Sequence, residues 1–260
     1  MIRILTFLAL LAAPVHAQTP DDVVKLTVLH GWRAVDGTHM AGLRLDLAPG
    51  WKTYWRHPGD VGFPPVFDWS RSQNIAAVDV LWPRPKVTWD DDMRTIGYDG
   101  AVVWPLHITP FAGGDVVLNG HAQIGVCKEI CIPVDLDIRA TLGALDGSAG
   151  GADADIRAAI AAQPKPAQGQ AICAFAPSDD GMELTLTLPP VGTGAEIVIE
   201  VNGANVWVSP PETQRVGGRV IATVDILTVD GNPIAITRQN VVTTVLTDTA
   251  AVEYRGCVGG

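Results

Sequence analysis

The pattern that most constrains this chain is a succession of short apolar and β-branched runs, each cut off by glycine, proline, aspartate or asparagine. With 27 glycines and 19 prolines among 260 residues, few segments can continue as helices, whereas short strands fit between the breaks. The runs predict strands over 24–29, 40–47, 76–82, 101–108, 116–124 and 132–140. In the second of these, Leu43, Leu45 and Leu47 alternate with Arg44 and Asp46, so one face should be buried and the other wet. Such strands, joined by turns, make an antiparallel sandwich.

Composition shifts after Leu145. Residues 147–151 read as flexible, 153–162 have helical composition, and Pro164, Lys165 and Pro166 break the helix. A second β series follows over 182–188, 196–201, 206–209, 220–226 and 241–247, interrupted by Pro189, Pro190, Pro210, Pro211 and the turn Asp230, Gly231, Asn232. The expected fold class is therefore all-β: one sandwich domain over 18–148, a helical or Pro/Gly-rich linker over 149–170, and a second sandwich over 171–260. No sequence repeat links the halves.

Arg3, an apolar run over 4–15 and the small-x-small site Val15, His16, Ala17 read as a signal peptide over 1–17, with Gln18 the first mature residue. The run is shorter than the roughly 20 residues a spanning helix needs, and no later run is longer, so the mature chain is expected to be exported and not membrane-spanning. Four cysteines suit an oxidising compartment, and the bacterial periplasm is the natural one. A net charge of −10 and a pI near 4.9 argue against nucleic acid or an anionic membrane surface, both of which need a basic patch.

Cys127 and Cys131 carry most of the functional information. Fully extended, positions four apart lie roughly 13 Å from each other, while a disulfide needs Cα atoms within about 7 Å, so the segment must turn for the pair to close. Pro133 disfavours a helix there, which leaves a tight connection between strands. Thiol–disulfide exchange needs an attacking thiolate, a resolving thiol and room for a partner sulfur, and a Cys-x3-Cys pair supplies the first two. Lys128 would lower a neighbouring thiol pKa and Glu129 would raise it, so the flanking charges do not assign the nucleophile. A structural staple is the alternative, although so short a loop gains little from cross-linking.

Cys173 and Cys257 bracket the second domain. Joining them would close a loop of about 85 residues, worth roughly 4 to 5 kcal/mol in the chain-entropy model, which suits a structural disulfide. Cys127, Cys131, His107 and His121 match no zinc-ligand spacing, but two thiolates could bind Cu(I), and a copper-binding module is one rival reading. His30, His39 and His57 read as surface or loop histidines, and Asp90, Asp91 and Asp92 as a solvated turn. No G-x-S-x-G, H-E-x-x-H or P-loop motif occurs, and no cofactor is expected.

Seven of the eight tryptophans precede Pro105. Trp82 and Trp104, on strands, read as core. Trp51, Tyr54 and Trp55 fall between Gly50 and Pro65 in what reads as a long shaped loop, either structural or covering a reactive site. Exposed tryptophans on a sandwich would suit a glycan-binding module, the second rival.

The run Gly125, Val126, Cys127, Lys128, Glu129, Ile130, Cys131, Ile132, Pro133, taken with Gly50, Trp51, Lys52, Thr53, Tyr54, Trp55, Arg56, the Pro58-Gly59-Asp60 turn, Pro64, Pro65, Phe67, Asp68 and Trp69, resembles the N-terminal periplasmic region of DsbD-type thiol:disulfide interchange proteins, and within them the copper-sensitivity-suppressor (ScsB) branch. The resemblance implies immunoglobulin-like sandwiches and an exchanging pair at Cys127 and Cys131. It further implies that the pair takes electrons from a membrane-embedded thiol reductase and passes them to periplasmic thioredoxin-like oxidoreductases. In the DsbD branch the cysteines are spaced more widely and a cap loop shields them, to which the 50–65 stretch would correspond. Family members usually continue into a membrane domain and a thioredoxin-like domain. The sequence stops at Gly260 with neither; if it is a complete gene product, its electron donor is expected to be a separate protein.

Overall fold

The computed structural model describes residues 20–143, 151–178, 181–203, 206–229 and 235–260. The expected signal peptide, the turn at Asp230, Gly231 and Asn232, and all of 147–151 except Gly151 lie outside them. The fold is all-β, in two sandwich-like lobes. No helix among the described residues is long and apolar enough to cross a membrane.

The first lobe follows a short helix α1 (Pro20–Val23) and contains β1 (Val24–Arg33), β2 (His39–Leu47), β3 (Lys52–Gly59), β4 (Val66–Asp68), β5 (Ala77–Val80), β6 (Lys86–Asp90), β7 (Met93–Asp99), β8 (Ala101–Thr109), β9 (Val116–Cys127) and β10 (Cys131–Leu142). One sheet runs β1-β2-β8-β5 and the other β10-β9-β3-β7-β6, with β4 also pairing β9. Alternation decides which faces meet: Val134, Leu136 and Ile138 of β10 are buried while Asp135, Asp137 and Arg139 are not. Between the sheets, Trp104 packs against Trp82, Phe67 and Tyr98 at centroid distances of 5.1, 6.0 and 6.2 Å. Each such side chain taken out of water contributes about 2 kcal/mol.

Helix α2 (Gly151–Ala161) docks on the first lobe instead of bridging solvent. Ile156 is fully buried because Gly42 and Gly31 leave it room: a Cβ at Gly42 would lie 3.0 Å from its Cγ1. Asp155 pairs with Arg44 at 3.1 Å, and Arg157 lies 3.9 Å over the Trp32 ring. Asp153 sits in the first turn, where the helix dipole favours an acid.

The second lobe contains β11 (Lys165–Pro166), β12 (Ala171–Ser178), β13 (Gly181–Leu188), β14 (Glu196–Val201), β15 (Val206–Val208), β16 (Glu212–Val216), β17 (Arg219–Thr228), β18 (Val241–Leu246), β19 (Ala251–Arg255) and β20 (Cys257–Gly259). Its sheets run β11-β19-β18-β14 and β15-β17-β13-β12-β20, with β16 also on β17. All six residues of β18 are buried. Val241 and Val245 join the second lobe's core, while Leu246, with Val198 and Ala251, joins the apolar cluster of the first lobe. The four-stranded sheet is thus covered on both faces, and this joins the lobes. The stretch read as a linker serves both: its helix packs on the first lobe, and Lys165–Pro166 pairs in parallel with β19.

Two sequence expectations are corrected. The 50–65 stretch is not one long loop: Lys52–Gly59 is a strand of the second sheet, preceded by a turn at Gly50 and followed by the irregular segment 60–65. Trp51, Tyr54 and Trp55 are 6%, 1% and 0% exposed. Both faces of this strand are covered, so the alternation that marks a half-wet strand is absent. His39 is no surface residue but fully buried on β2, where its Nε2 meets the His30 carbonyl at 2.7 Å; Met40 and Ala41 give no sign of it because burial there comes from neighbouring strands.

Candidate active site

Strands β9 and β10 form a hairpin whose register runs from Val116↔Leu142 to Cys127↔Cys131. Long complementary alternation fixes that register, and it places the two cysteines opposite each other at the hairpin mouth. The connection is Lys128, Glu129 and Ile130, closed by the Lys128 N–H donating to the Ile130 carbonyl at 3.1 Å. Cys127 and Cys131 are bonded, with Cα atoms 4.1 Å apart. Their surroundings differ. Cys127 is 1% exposed, whereas Cys131 and the three connecting residues are exposed.

Tyr54 on β3 lies beneath the pair. A disulfide sulfur carries no proton, so the Tyr54 O–H donates, reaching Cys127 Sγ at 2.6 Å with Cys131 Sγ at 3.3 Å. Burial pushes the Tyr54 phenol above its usual value, which keeps it a donor throughout the neutral range. Two glycines let the ring fit. A Cβ at Gly62, where φ is +119°, would come within 2.3 Å of Tyr54 Cε1, and one at Gly125 within 2.8 Å of Cε2. The same Gly125 Cβ would lie 3.3 Å from Phe63 Cβ. The 60–65 segment therefore crosses over Tyr54, with the Phe63 side chain 56% exposed beside the hairpin.

Beta-strand β9 also receives β3 at Lys52↔Cys127 and Thr53↔Val126 and β4 at Phe67↔Ala122 on the same edge. The Thr53 hydroxyl donates to the Gly125 carbonyl at 2.8 Å. The cysteine hairpin is thus backed by a strand on each side of the crossing segment. Exposed apolar side chains lie at or near the mouth, Ile130 in the connection and Phe63 beside Gly125, at 68% and 56%.

Residues 18–142 match the family described as thiol:disulfide interchange protein DsbD, N-terminal. The first lobe is a DsbD-type N-terminal domain. The crystal structure of the N-terminal periplasmic domain of ScsB from Proteus mirabilis is similar over 94% of this chain and 96% of that chain, with a TM-score of 0.68 and 22% identity; at that identity the likeness establishes the fold, in both lobes. No curated protein sequence matches the chain.

The remaining sequence candidates sit apart from the cysteine pair at the mouth of the DsbD-type hairpin. His107 is on β8 of the opposite sheet beside Asp79 at 3.6 Å, and His121, six positions before Cys127, pairs with Asp135 at 3.1 Å. Among the described residues no group of three or more His, Cys, Asp or Glu side chains converges to hold a metal ion. Asp90, Asp91 and Asp92 are exposed at the β6–β7 tip. Cys173 and Cys257 are bonded across 84 positions with Cα atoms 5.7 Å apart, tying β12 to β20. Of the tryptophans, Trp89 and Trp207 are the large exposed ones at 55% and 50%, and they lie in different lobes. Sequence reasoning missed Tyr54 as a partner of the sulfurs; a glycine inside a strand, Gly125, was the available sign of a close approach.

Proposed function

We propose that this chain is a periplasmic thiol:disulfide interchange protein that relays two electrons through Cys127 and Cys131, from a membrane-embedded thiol reductase to thioredoxin-like oxidoreductases. The observation that carries this reading is the inequality of the two cysteines: Cys131 is an exposed residue, and Cys127 is buried with a phenol donating to its sulfur. A staple needs no such inequality.

In the reducing half-reaction a partner thiolate attacks the sulfur of the exposed residue, Cys131 Sγ. The Cys127–Cys131 bond breaks, Cys131 forms a mixed disulfide with the partner, and Cys127 leaves as a thiolate. The Tyr54 O–H stabilises that charge, and a better-stabilised leaving thiolate departs faster. The partner's second thiol, deprotonated, then attacks its own sulfur in the mixed disulfide. This releases oxidised partner and Cys131 as a thiolate, and the thiolates take up the two protons the partner lost. Delivery to an oxidised partner is the reverse, with Cys131 attacking and Cys127 resolving.

Single substitutions test this in periplasm. Cys127→Ala leaves the exposed cysteine alone and is expected to accumulate mixed disulfides with partner proteins, while Cys131→Ala accumulates few. Capture by neither variant, under conditions that trap known exchangers, refutes the relay.

A further inference from the structure

Between the lobes lies a charged seam that the exchange chemistry does not use. Arg56 on β3, two residues after Tyr54, reaches Glu200 at 2.8 Å and Glu253 at 2.6 Å in the second lobe. Arg84 donates to the Thr247 and Asp248 carbonyls at 3.3 and 2.8 Å. Arg94, on β7 and 4% exposed, differs from both because it also grips the start of the 60–65 segment. Its backbone N–H donates to Asp60 Oδ2 at 2.9 Å, its carbonyl accepts from the Asp60 N–H at 2.9 Å, and its guanidinium faces Asp60 Oδ1 at 3.4 Å. Gly59 is pressed so close that a Cβ would come within 2.4 Å of the Arg94 carbonyl oxygen. The other guanidinium nitrogen donates to the Ile197 carbonyl at 3.2 Å and pairs with Glu196 at 3.6 Å, both in the second lobe.

We infer that Arg94 is a positioning residue through which the second lobe holds the 60–65 segment over the Cys127–Cys131 disulfide, so that this lobe governs how fast a thiol reaches the pair. The inference rests on the exchange reading above. Two residues separate Asp60 from Gly62, which lies against the Tyr54 ring, and one more brings Phe63 to Gly125. An anchored base leaves such a short segment little freedom, and a released base lets it swing away from the sulfurs. Arg94 is suited to the task because a planar, always-charged fork can serve an aspartate on one side and a carbonyl and glutamate on the other. A change in access acts on the approach of a thiol and not on the bonded or free sulfurs themselves, so release of the segment changes the rate of exchange and leaves the equilibrium between the two states in place.

The test compares reduction of the disulfide by dithiothreitol in the full chain, followed by thiol alkylation, with the reduction potential measured in glutathione buffers. Arg94→Met is expected to be reduced about five- to tenfold faster and Glu196→Gln about two- to threefold faster, consistent with loss of a charge-assisted contact. Both potentials stay at the wild-type value. Arg84→Ala, which cuts the seam away from Asp60, stays within about twofold of wild type. Glu196→Gln decides the matter if Arg94→Met fails to fold. Wild-type rates in the folded variants, an equal acceleration in Arg84→Ala, or potentials that shift together with the rates would each overturn the positioning role. A wild-type disulfide that dithiothreitol cannot reduce overturns the exchange reading along with it, whereas a reducible wild type with unmoved variants overturns the positioning role alone.

Discussion

The two lobes have similar architecture, a four-stranded sheet and a larger one in each, yet their disulfides close very different loops. In the second lobe the bond joins the first long strand to the last across 84 positions, with Cys173 1% exposed in the core. In the first lobe the bond closes three residues of a hairpin whose register is already set by a dozen paired positions. The same covalent link therefore removes much disorder from one unfolded lobe and little from the other. What distinguishes the short bond is its setting: one cysteine exposed, the other buried with its sulfur against a phenol, and a segment from another strand crossing above. Topology, not sulfur chemistry, separates the bond proposed as a staple from the bond proposed as an exchanger.

That contrast can be broken most directly by removing each bond. Replacing Cys173 and Cys257 by serine should cost about 4 to 5 kcal/mol, while replacing Cys127 and Cys131 should cost about 2 kcal/mol or less; urea unfolding of the two double variants measures both, and equal losses would erase the distinction. Next in size is Tyr54→Phe, which keeps the ring and deletes the donor. The Cys127 thiol of the reduced protein should then titrate higher and exchange should slow about tenfold. The pH dependence of alkylation reads the first effect, and an unchanged profile would show that the phenol is only packing.

A third substitution addresses the crossing segment. Gly62→Ala places a methyl where φ is +119° and the Tyr54 ring stands, so it should destabilise by about 1 to 3 kcal/mol and raise the rate of reduction. A variant of wild-type stability and wild-type rate would mean that the segment yields without strain. The smallest effect concerns the seam. Burial lowers the His57 pKa, with Arg94 and Arg56 adding to the shift and Glu200 opposing it. A base whose folded pKa is depressed binds its proton more readily unfolded, so its contribution is complete above about pH 6.5 and is lost as pH falls through the lower folded value. Thermal unfolding from pH 7.5 to 5 should show this decline, and His57→Gln should flatten it; an identical decline in the variant would assign it elsewhere.

Much of the fold was legible residue by residue. Leu43, Leu45 and Leu47 announced β2 because alternation is visible where one face is wetter than the other, and the apolar run over 132–140 announced β10. Lys52–Gly59 was misread for the complementary reason: the crossing segment, the hairpin and the second lobe cover what would have been its polar side. The buried His39 was missed similarly, since its neighbours and not its own strand exclude water.

The sequence by itself determined an all-β chain in two parts, a short-spaced cysteine pair that can bond only across a turn, and a second pair far enough apart to staple. Those follow from period, breakers and spacing, which are local properties. Only the tertiary structure decided that Tyr54, 73 positions from Cys127, donates to its sulfur, that Cys131 is the exposed one, and that Arg94 joins the crossing segment to the second lobe. Each depends on which strands lie side by side and which faces are covered, and those are set by the simultaneous packing of both lobes.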